Sequence, residues 1–200
     1  DSESLTSFEL GVRGLVGRGS YELSLFNMEK DDFIFRDSDG FNINGGKTDH
    51  LGVELSLQYA ISETLSYSMA SSWAEHTYAN NPALVGSPIS GNDIDTAPRL
   101  NHSARLNWAP NARYSSELEW VYLGDYYLDP QNEHQYAGHS LLNARITGRV
   151  GEGPWQVSAR ISNLLDRRYA DRADFAFGNY RYFTGQSRAV HIEVKRNFSL

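Results

Sequence analysis

Apolar side chains recur at every second position along most of this chain. The clearest run extends from Leu51 to Ile61, where one face carries Leu, Val, Tyr and Ile and the other carries Gly, Glu, Ser, Gln and Ala. Successive side chains of a β-strand point to opposite sides, so the run predicts a strand with one apolar and one polar face. The same alternation predicts eight further strands, over residues 8–16, 21–35, 65–73, 100–108, 118–126, 142–150, 155–161 and 190–198.

The second of these strands departs from the pattern. Apolar and polar residues alternate from Tyr21 to Leu25, but beyond Leu25 the alternation slips before Phe35 is reached. An extra residue in a strand turns the side chains that follow it to the other face. The sequence therefore predicts a strand over 21–35 that contains a bulge, with its register left open.

The connections between the predicted strands alternate in length. Short turns lie at 17–19, 62–64, 110–112 and 151–153, and long polar loops lie at about 36–48, 79–97, 129–138 and 166–186. Antiparallel strands joined in this way place the short turns at one end of the sheet and the long loops at the other. This segregation is typical of outer-membrane barrels, in which the turns are periplasmic and the loops extracellular.

Large aromatic side chains lie within a few residues of the short turns. Tyrosine and tryptophan prefer the headgroup level of a bilayer. The sequence therefore predicts an aromatic girdle at this edge, formed by Tyr59, Tyr67, Trp108, Tyr114 and Trp155. At the opposite edge, Tyr126 is also assigned to a girdle, whereas Tyr127 is predicted to face inward. The alternative is a set of core aromatics in a soluble β-sandwich, which the segregation of turns and loops disfavours.

The composition excludes several classes of protein. Of the 200 residues 40% are hydrophobic, and the mean hydropathy is −0.51. No stretch approaches the roughly 18 apolar residues of a membrane-spanning helix. The chain has no cysteine, which excludes a disulfide scaffold and thiolate metal sites. A net charge of −7 argues against nucleic acid as a partner, because nucleic-acid binding needs a basic face.

The polar faces of the predicted strands carry many charged residues, among them Glu54, Arg105, Glu119, Arg145 and Arg160. A barrel of eight or nine strands has an interior just wide enough for packed side chains, so these charges would have to pair densely after desolvation. An odd strand count is uncommon in bacterial barrels, and a nine-stranded sheet alone leaves two unpaired edges. The sequence thus predicts one part of a larger barrel with a wide, wet lumen.

The last 40 residues contain three motifs in a fixed order. Ile161-Ser-Asn-Leu-Leu-Asp-Arg-Arg-Tyr-Ala170 is followed by Tyr182-Phe-Thr-Gly-Gln-Ser-Arg188 and by a closing strand that ends in Val194-Lys-Arg-Asn-Phe198. In this order the motifs resemble the C-terminal end of TonB-dependent outer-membrane receptors. The resemblance covers most of the chain and is strongest over 138–198. It implies an all-β fold, a transmembrane antiparallel up-and-down β-barrel.

Within that family, residues 1–200 are expected to supply the last nine of about 22 strands, with the plug domain absent from this chain. The resemblance implies active transport of an iron chelate (siderophore) across the bacterial outer membrane, energised by the TonB complex through the plug. It also implies contact with outer-membrane lipid and lipopolysaccharide, and recognition of Phe198 by the barrel-assembly machinery. The alternatives are a related receptor for heme, cobalamin or another metal complex, and a self-standing structural or adhesive barrel.

Basic and aromatic residues in the outer loops are the candidates for ligand binding. Guanidinium groups there could bind an anionic chelate or lipopolysaccharide phosphates. The predicted ligand contacts are Tyr127, Arg167, Arg168, Arg181 and Tyr182. The alternative is that the arginines of this region, which include Arg172, pair with the interleaved acids Asp166, Asp171 and Asp174.

No catalytic, cofactor or metal site is predicted. His139 and Ser140 are adjacent on a strand, so their side chains point apart and cannot form a nucleophile–base pair. This argues against a lipid hydrolase. The six histidines lack metal-ligand spacing. Asp37 to Asn44 resembles a calcium loop only in part, because no Glu closes it at the expected distance.

Overall fold

A computed structural model describes residues 2–36, 39–82 and 88–196. These residues form thirteen strands: β1 (Ser4–Val16), β2 (Gly19–Arg36), β3 (Asn42–Ala60), β4 (Leu65–Tyr78), β5 (Leu100–Asn111), β6 (Tyr114–Leu123), β7 (Tyr126–Tyr127), β8 (Gln135–Tyr136), β9 (His139–Arg149), β10 (Trp155–Ser162), β11 (Ala170–Ala176), β12 (Asn179–Thr184) and β13 (Ala189–Arg196). The same residues contain no α-helix with the length and apolarity of a bilayer span.

Nine strands form one antiparallel sheet in the order β1-β2-β3-β4-β5-β6-β9-β10-β13. The nine-stranded up-and-down topology is therefore confirmed. The sheet does not close on itself, because in the described residues β1 pairs only with β2 and β13 only with β10. The remaining strands form two small hairpins, β7–β8 and β11–β12, inside the third and fourth long loops.

One face of the sheet is apolar and exposed along its whole width. Phe8 at one end of the sheet and Ile192 at the other are each 72% exposed. A soluble sheet buries such a face against a second layer. The exposed apolar band instead matches the lipid-facing surface of a membrane barrel, which the alternation in the sequence predicts.

The other face carries polar networks that connect neighbouring strands. Arg105 of β5, Glu119 of β6 and Asn143 of β9 occupy consecutive paired positions. The Arg105 guanidinium lies 2.7 Å from Glu119 Oε1, and Asn143 Nδ2 donates to Glu119 Oε2 at 2.9 Å. Cross-strand pairs of opposite charge stabilise a sheet by a few tenths of a kcal/mol to about 1 kcal/mol each. This face is the predicted inner, lumen-facing side.

The bulge in β2 lies further along the strand than the sequence pattern indicates. Pairing between β2 and β3 is regular as far as Lys30, and the register shifts fall between Lys30 and Phe35. The slip after Leu25 has a different cause: Phe26 turns its ring to the inner face. Gly52 on β3 makes room for it, since a Cβ on Gly52 would lie 2.4 Å from the Phe26 ring.

The first long loop is shorter than predicted. The sequence pattern predicts a loop at about 36–48, but β2 continues to Arg36 and β3 begins at Asn42. In this part of the hairpin both faces of the paired strands carry polar residues. The alternation of apolar and polar positions is therefore lost, although the strand pairing continues. Asp37 and Ser38 of the partial calcium loop lie outside the described residues.

The assignment of Tyr126 to a girdle is wrong. β6 ends at Leu123, so Tyr126 lies beyond the wall strand in β7. Only 6% of Tyr126 is exposed, and it packs against Ala170 and Ala173 of β11. The even spacing from Leu118 to Tyr126 thus continues across a strand end by coincidence, because Gly124 and Asp125 interrupt the strand.

The buried apolar core lies at the outer end of the sheet rather than beneath it. One cluster joins Phe35, Tyr78 and Ile89, and a second joins Tyr126, Leu128, Ala170 and Ala173. Both clusters involve the long connections, and Ile89 and Ala173 are completely buried. The long loops of this protein therefore have a packed interior of their own.

Candidate functional site

The outer loop layer is defined as residues 88–99, 124–138 and 163–188 together with residues 39–41 at the β2–β3 tip. Leu128, in the middle segment, is 1% exposed, and its carbonyl accepts a hydrogen bond from the Phe175 amide at 2.9 Å. Gly40 at the β2–β3 tip approaches the Phe177 ring at the β11–β12 turn. Contacts therefore link all four long connections into one layer.

Asn132 joins the second long connection to the third. Its Oδ1 accepts from the Asp93 amide at 2.8 Å, and its Nδ2 donates to the Asp93 carbonyl at 2.9 Å. Nearby, the Thr96 amide donates to the Tyr127 carbonyl at 2.8 Å. The side-chain amide of Asn132 thus binds both the backbone N–H and the backbone C=O of Asp93, as a neighbouring strand would. This contact fixes one loop against the next.

Two tyrosines bind the free edge of β11. The amide of Ala173 donates to Tyr126 Oη at 2.9 Å, and the amide of Ala170 donates to Tyr136 Oη at 3.1 Å. Each hydroxyl also lies 3.4 Å from the carbonyl of the same alanine, to which it donates. Because buried backbone groups need partners, the hydroxyls replace a missing neighbouring strand.

The β11–β12 hairpin folds over the inner face of the wall. Leu123 and His139 are paired positions on the face that also carries Asn143, and Leu123 packs against the Tyr126–Ala173 cluster. Asp171 of β11 lines the same cavity of about 520 Å³ as His139 and the inner-face residue Glu54. The hairpin thus covers the inner side of the barrel wall at its outer end.

Residues of the C-terminal motifs clamp the base of this last loop. Asn163 is 2% exposed; its Oδ1 accepts from the Arg167 amide at 2.9 Å, and its Nδ2 donates to the Gln186 carbonyl at 3.1 Å. Asp166 Oδ1 accepts from the Arg188 amide at 2.9 Å. Asn163 and Asp166 have φ values of 51° and 53°, a left-handed conformation that Asn and Asp tolerate better than most residues. The spacing of Asn163, Asp166 and Arg188 in the C-terminal motifs is therefore explained by the hydrogen bonds that close the base of this loop.

The arginines around the last loop fall into two groups. Arg172 and Arg181 both pair with Asp174, which is 5% exposed. The interpretation that the interleaved acids neutralise these arginines therefore holds for this pair. Arg167 and Arg168 are exposed at the base of the hairpin, where Arg167 contributes its backbone to the Asn163 clamp.

The structure places the two predicted tyrosine contacts on different hairpins. Tyr182 lies on β12 and is 55% exposed, next to Arg181 in sequence and therefore on the opposite face. Tyr127 lies on β7, is half-buried, and pairs with Gln135 of β8. Both residues belong to the outer loop layer, as the sequence predicts.

An aromatic row, of which only Tyr182 is among the predicted ligand contacts, joins the two hairpins. The His134 ring stacks on Phe175 at a centroid distance of 3.6 Å, and Tyr180 contacts both rings edge-on. Tyr180 and Tyr182 are parallel, with centroids 6.1 Å apart and an angle of 1° between the rings. The spacing of two residues places Tyr180 and Tyr182 on one face of β12, which the sequence could have indicated. The contact of His134 with Phe175 could not be read from the sequence, because His134 lies in another loop.

Asp129, Glu133 and His134 place three possible metal ligands within 4.8 Å of one another. The Asp129 carboxylate already has partners: Oδ1 accepts from the amides of Glu133 and His134, and Oδ2 lies 3.0 Å from His134 Nδ1. This arrangement stabilises a turn.

Tyr78 and Asp95 tie the second long connection to the end of β4. Tyr78 Oη donates to Asp95 Oδ1 at 2.6 Å. Burial raises the pKa of Asp95, and the charges of Asp129 and Asp174 act in the same direction. The loop layer thus contains several carboxylates close together, held by hydrogen bonds from neighbouring side chains and amides.

Comparisons with known proteins agree with this architecture. The family model described as "TonB dependent receptor-like, beta-barrel" matches residues 1–164. The chain belongs to this family. Its solved relatives include the ferric yersiniabactin uptake receptor FyuA from Yersinia pestis, with 21% identity and a TM-score of 0.84 over 98% of this chain and 30% of FyuA. The siderophore receptor PiuA from Acinetobacter baumannii gives 18% identity and a TM-score of 0.77, covering 95% of this chain and 28% of PiuA.

A curated relative is the ferrichrome outer membrane transporter/phage receptor of Escherichia coli K12. It is 25% identical over 201 residues, which cover 92% of this chain and 25% of that protein. The chain thus spans between a quarter and a third of the length of these relatives. As a TonB-dependent receptor barrel, it is an outer-membrane protein and not an enzyme.

Two further geometric predictions concern this TonB-dependent receptor barrel. His139 and Ser140 point apart: His139 Nδ1 lies 3.0 Å from Tyr136 Oη, whereas Ser140 Oγ accepts from Trp120 Nε1 at 2.6 Å.

The girdle positions gather at the short-turn edge, where Tyr59 pairs with Tyr67 across β3 and β4. Trp108, Tyr114 and Trp155 are exposed at the same edge. Their contact with lipid stays a prediction, and Phe198 lies outside the described residues.

Proposed function

We propose that this chain forms the wall and the outer loops of a receptor that imports a ferric siderophore across the outer membrane, with energy supplied through TonB. The observation that carries the proposal is the family match over residues 1–164. The printed names of the relatives, which concern ferrichrome and ferric yersiniabactin, support an iron chelate as the cargo.

The structure supports a passive role for the wall in this proposal. The inner face has polar networks such as Arg105–Glu119–Asn143 and matches a plug domain or water, whereas the apolar face matches lipid. TonB would act on the plug, which is the partner of this inner face. No bond of the cargo is made or broken by this segment.

We propose that the outer loop layer captures the chelate. Arg181 and Tyr182 on β12, Tyr127 on β7, and Arg167 and Arg168 at the hairpin base are the proposed contacts. Arg181 pairs with Asp174, but 45% of its side chain is exposed, so N–H groups outside that pair can reach a ligand. Guanidinium groups suit anionic oxygen ligands, and half-exposed tyrosine rings offer stacking surface with little rotamer entropy to lose. Because the loops are already packed and hydrogen-bonded, binding would require little ordering of the chain.

The remaining proposed partners concern the membrane. Tyr59, Tyr67, Trp108, Tyr114 and Trp155 would lie at the periplasmic headgroup level. Lipopolysaccharide would surround the outer end of the apolar face. The barrel-assembly machinery would read the closing strand through Phe198. The separation of short turns from long loops supports the first two roles, and the family resemblance of the closing strand supports the third.

A self-standing structural or adhesive barrel is disfavoured by the open sheet. Closure of nine strands would require β1 to pair with β13, and in the described residues they lie at opposite ends of the sheet. A related receptor for heme or cobalamin shares the wall and is separated from the present proposal by its cargo alone.

Growth under iron limitation tests the proposal. The full-length receptor gene is deleted in a host that makes no siderophore, and growth is scored with ferric hydroxamates, ferric catecholates or heme as the iron source. Cobalamin import is scored separately, in a strain whose growth depends on added cobalamin. We expect the deletion to abolish growth on a ferric siderophore, and plasmid complementation to restore it only in cells with TonB. If the deletion abolishes growth on heme or cobalamin alone, the proposed cargo is wrong, and the assignment to the family stands.

A further inference from the structure

A row of three soft or borderline metal ligands crosses β2, β3 and β4 on the inner face. Met28 of β2 is paired with His50 of β3, and His50 is paired with His76 of β4. His50 lies on the same face as Glu54, so the three residues face the barrel interior. All three are half-buried.

The two imidazoles are in direct contact. His50 Nδ1 lies 2.8 Å from His76 Nδ1, and the ring centroids are 5.0 Å apart. One proton between the two Nδ1 atoms satisfies this contact. On the other side of the ring, His50 Nε2 lies 2.9 Å from Thr48 Oγ1, and Thr48 is 2% exposed.

Thr48 allows the shared proton to move to the other ring nitrogen of His50, so that a metal ion can take its place between the two Nδ1 atoms. A hydroxyl can donate to Nε2 or accept from it, so His50 can carry its proton on either nitrogen. When the proton moves to Nε2 and the hydroxyl turns to accept it, both Nδ1 lone pairs become free to bind one cation. No proton has to leave the site, and the rings have to separate by less than about 1 Å to reach normal metal–nitrogen distances.

The third ligand and the local charge select the metal. Directly opposed residues have Cβ atoms about 4.5–5.5 Å apart, which brings the Met28 thioether within reach of the same ion. Thioether and imidazole ligands select Cu(I) among biological cations. The row contains no carboxylate, and Lys30 lies one inner-face position further along β2, where its ammonium pairs with Glu3 at 3.0 Å. Lys30 is offset by Glu3, and the Asp93 carboxylate acts on His76. The neutral ligand set itself therefore favours a monovalent ion.

We propose that Met28, His50 and His76 form a Cu(I) site in the barrel wall, just beneath the outer loop layer. The proposal goes beyond iron-chelate import and does not depend on it. The site is distinct from the proposed chelate contacts on β7 and β12, because it is built from the wall strands β2, β3 and β4.

The test uses the full-length receptor purified in detergent under reducing, oxygen-free conditions. Cu(I) is titrated against a colorimetric Cu(I) chelator, and Zn(II) is titrated in parallel. The variants are His50→Gln combined with His76→Gln, and Met28→Leu. His102→Gln is the matched control, because its ring contacts Trp120 on β6 and lies outside the row.

We expect the double variant to bind one Cu(I) equivalent fewer than the unmodified receptor. Met28→Leu should weaken Cu(I) binding about tenfold and leave Zn(II) binding unchanged, since the thioether is the ligand specific for Cu(I). Copper X-ray absorption should show a sulfur neighbour that disappears in Met28→Leu. Equal stoichiometry and affinity in the unmodified and double-variant receptors would overturn the proposal. If the double variant fails to fold, unchanged Cu(I) affinity and sulfur scattering in Met28→Leu would do so.

Discussion

The hydroxyl of Tyr126 accepts a hydrogen bond from the Ala173 amide, 47 residues further along the chain, at 2.9 Å. This contact holds the β11–β12 hairpin against the loop before it, in a position over the inner face of the wall. Together with Tyr136 and Ala170, it makes the outer loop layer a folded unit rather than a set of independent loops.

Tyr126→Phe should loosen the β11–β12 hairpin without affecting the wall. The change leaves the buried amide and carbonyl of Ala173 without a partner, which costs about 1–3 kcal/mol of local stability. Hydrogen exchange of residues 170–184 in the detergent-solubilised receptor should accelerate, with unchanged exchange in β3 and β4. Tyr180→Phe is the control, since Tyr180 is 51% exposed on the same hairpin. Equal protection in both variants would contradict the role of the hydroxyl.

Asn163→Ala should release the base of the same loop. The substitution removes hydrogen bonds to the backbone of Arg167 and Gln186 and leaves an alanine at a positive φ, so we expect a loss of about 2–4 kcal/mol. Limited proteolysis should cut between 164 and 188 faster than in the unmodified receptor. Asn179→Ala provides the comparison, because the side-chain amide of Asn179 donates to the Phe177 carbonyl within an exposed turn. Similar cleavage of the two variants would show that the clamp is not needed.

Leu55→Arg and Glu54→Arg should differ although the two residues are neighbours. Leu55 lies on the apolar face, and an arginine near the bilayer midplane of a barrel costs about 2–4 kcal/mol. Glu54 faces the interior, so its replacement should cost far less. Refolding titrations of the full-length barrel into lipid vesicles measure the difference. The reverse order of stabilities would mean that the two faces have been inverted.

Stability of the loop layer should decrease with rising pH through the titration of Asp95. Burial raises the pKa of this carboxyl above its ordinary value of 3.8. The folded state therefore binds the proton of Asp95 more tightly than the unfolded state does. The stability gained from this proton is complete below pH 3.8, and it is lost as the pH rises through the higher pKa of the folded state. Asp95→Asn should remove this part of the pH dependence while keeping an oxygen for Tyr78. An unchanged profile of hydrogen exchange against pH would contradict the assignment.

The alternation of apolar and polar residues predicts nine wall strands and both of their faces, because period two is imposed by lipid on one side and water on the other. The sequence does not predict β7, β8, β11 or β12. Strands of two to seven residues in a water-filled mouth carry no apolar stripe, and their packing depends on distant pairs such as His134–Phe175. Tyr126 shows the limit most clearly, since its spacing matches a wall strand and its environment is a loop core.

Phe198→Ala should lower the amount of receptor inserted in the outer membrane and leave chelate affinity per inserted molecule unchanged. The residue alternates with the polar positions of the closing strand, which places it on the face of Val190, Ile192 and Val194. It lies outside the described residues, so the prediction rests on the sequence pattern alone. Quantitative surface labelling and binding assays measure the two quantities; normal surface levels with weaker binding would be the opposite result.

Uptake of radiolabelled ferric siderophore by cells that carry the full-length receptor tests the central claim most directly. Binding to the cell surface and accumulation inside are measured in parallel, in otherwise identical cells with and without TonB. We predict saturable binding in both and accumulation only where TonB is present. Equal accumulation without TonB, or the absence of binding to any ferric siderophore, would contradict the proposed transport function.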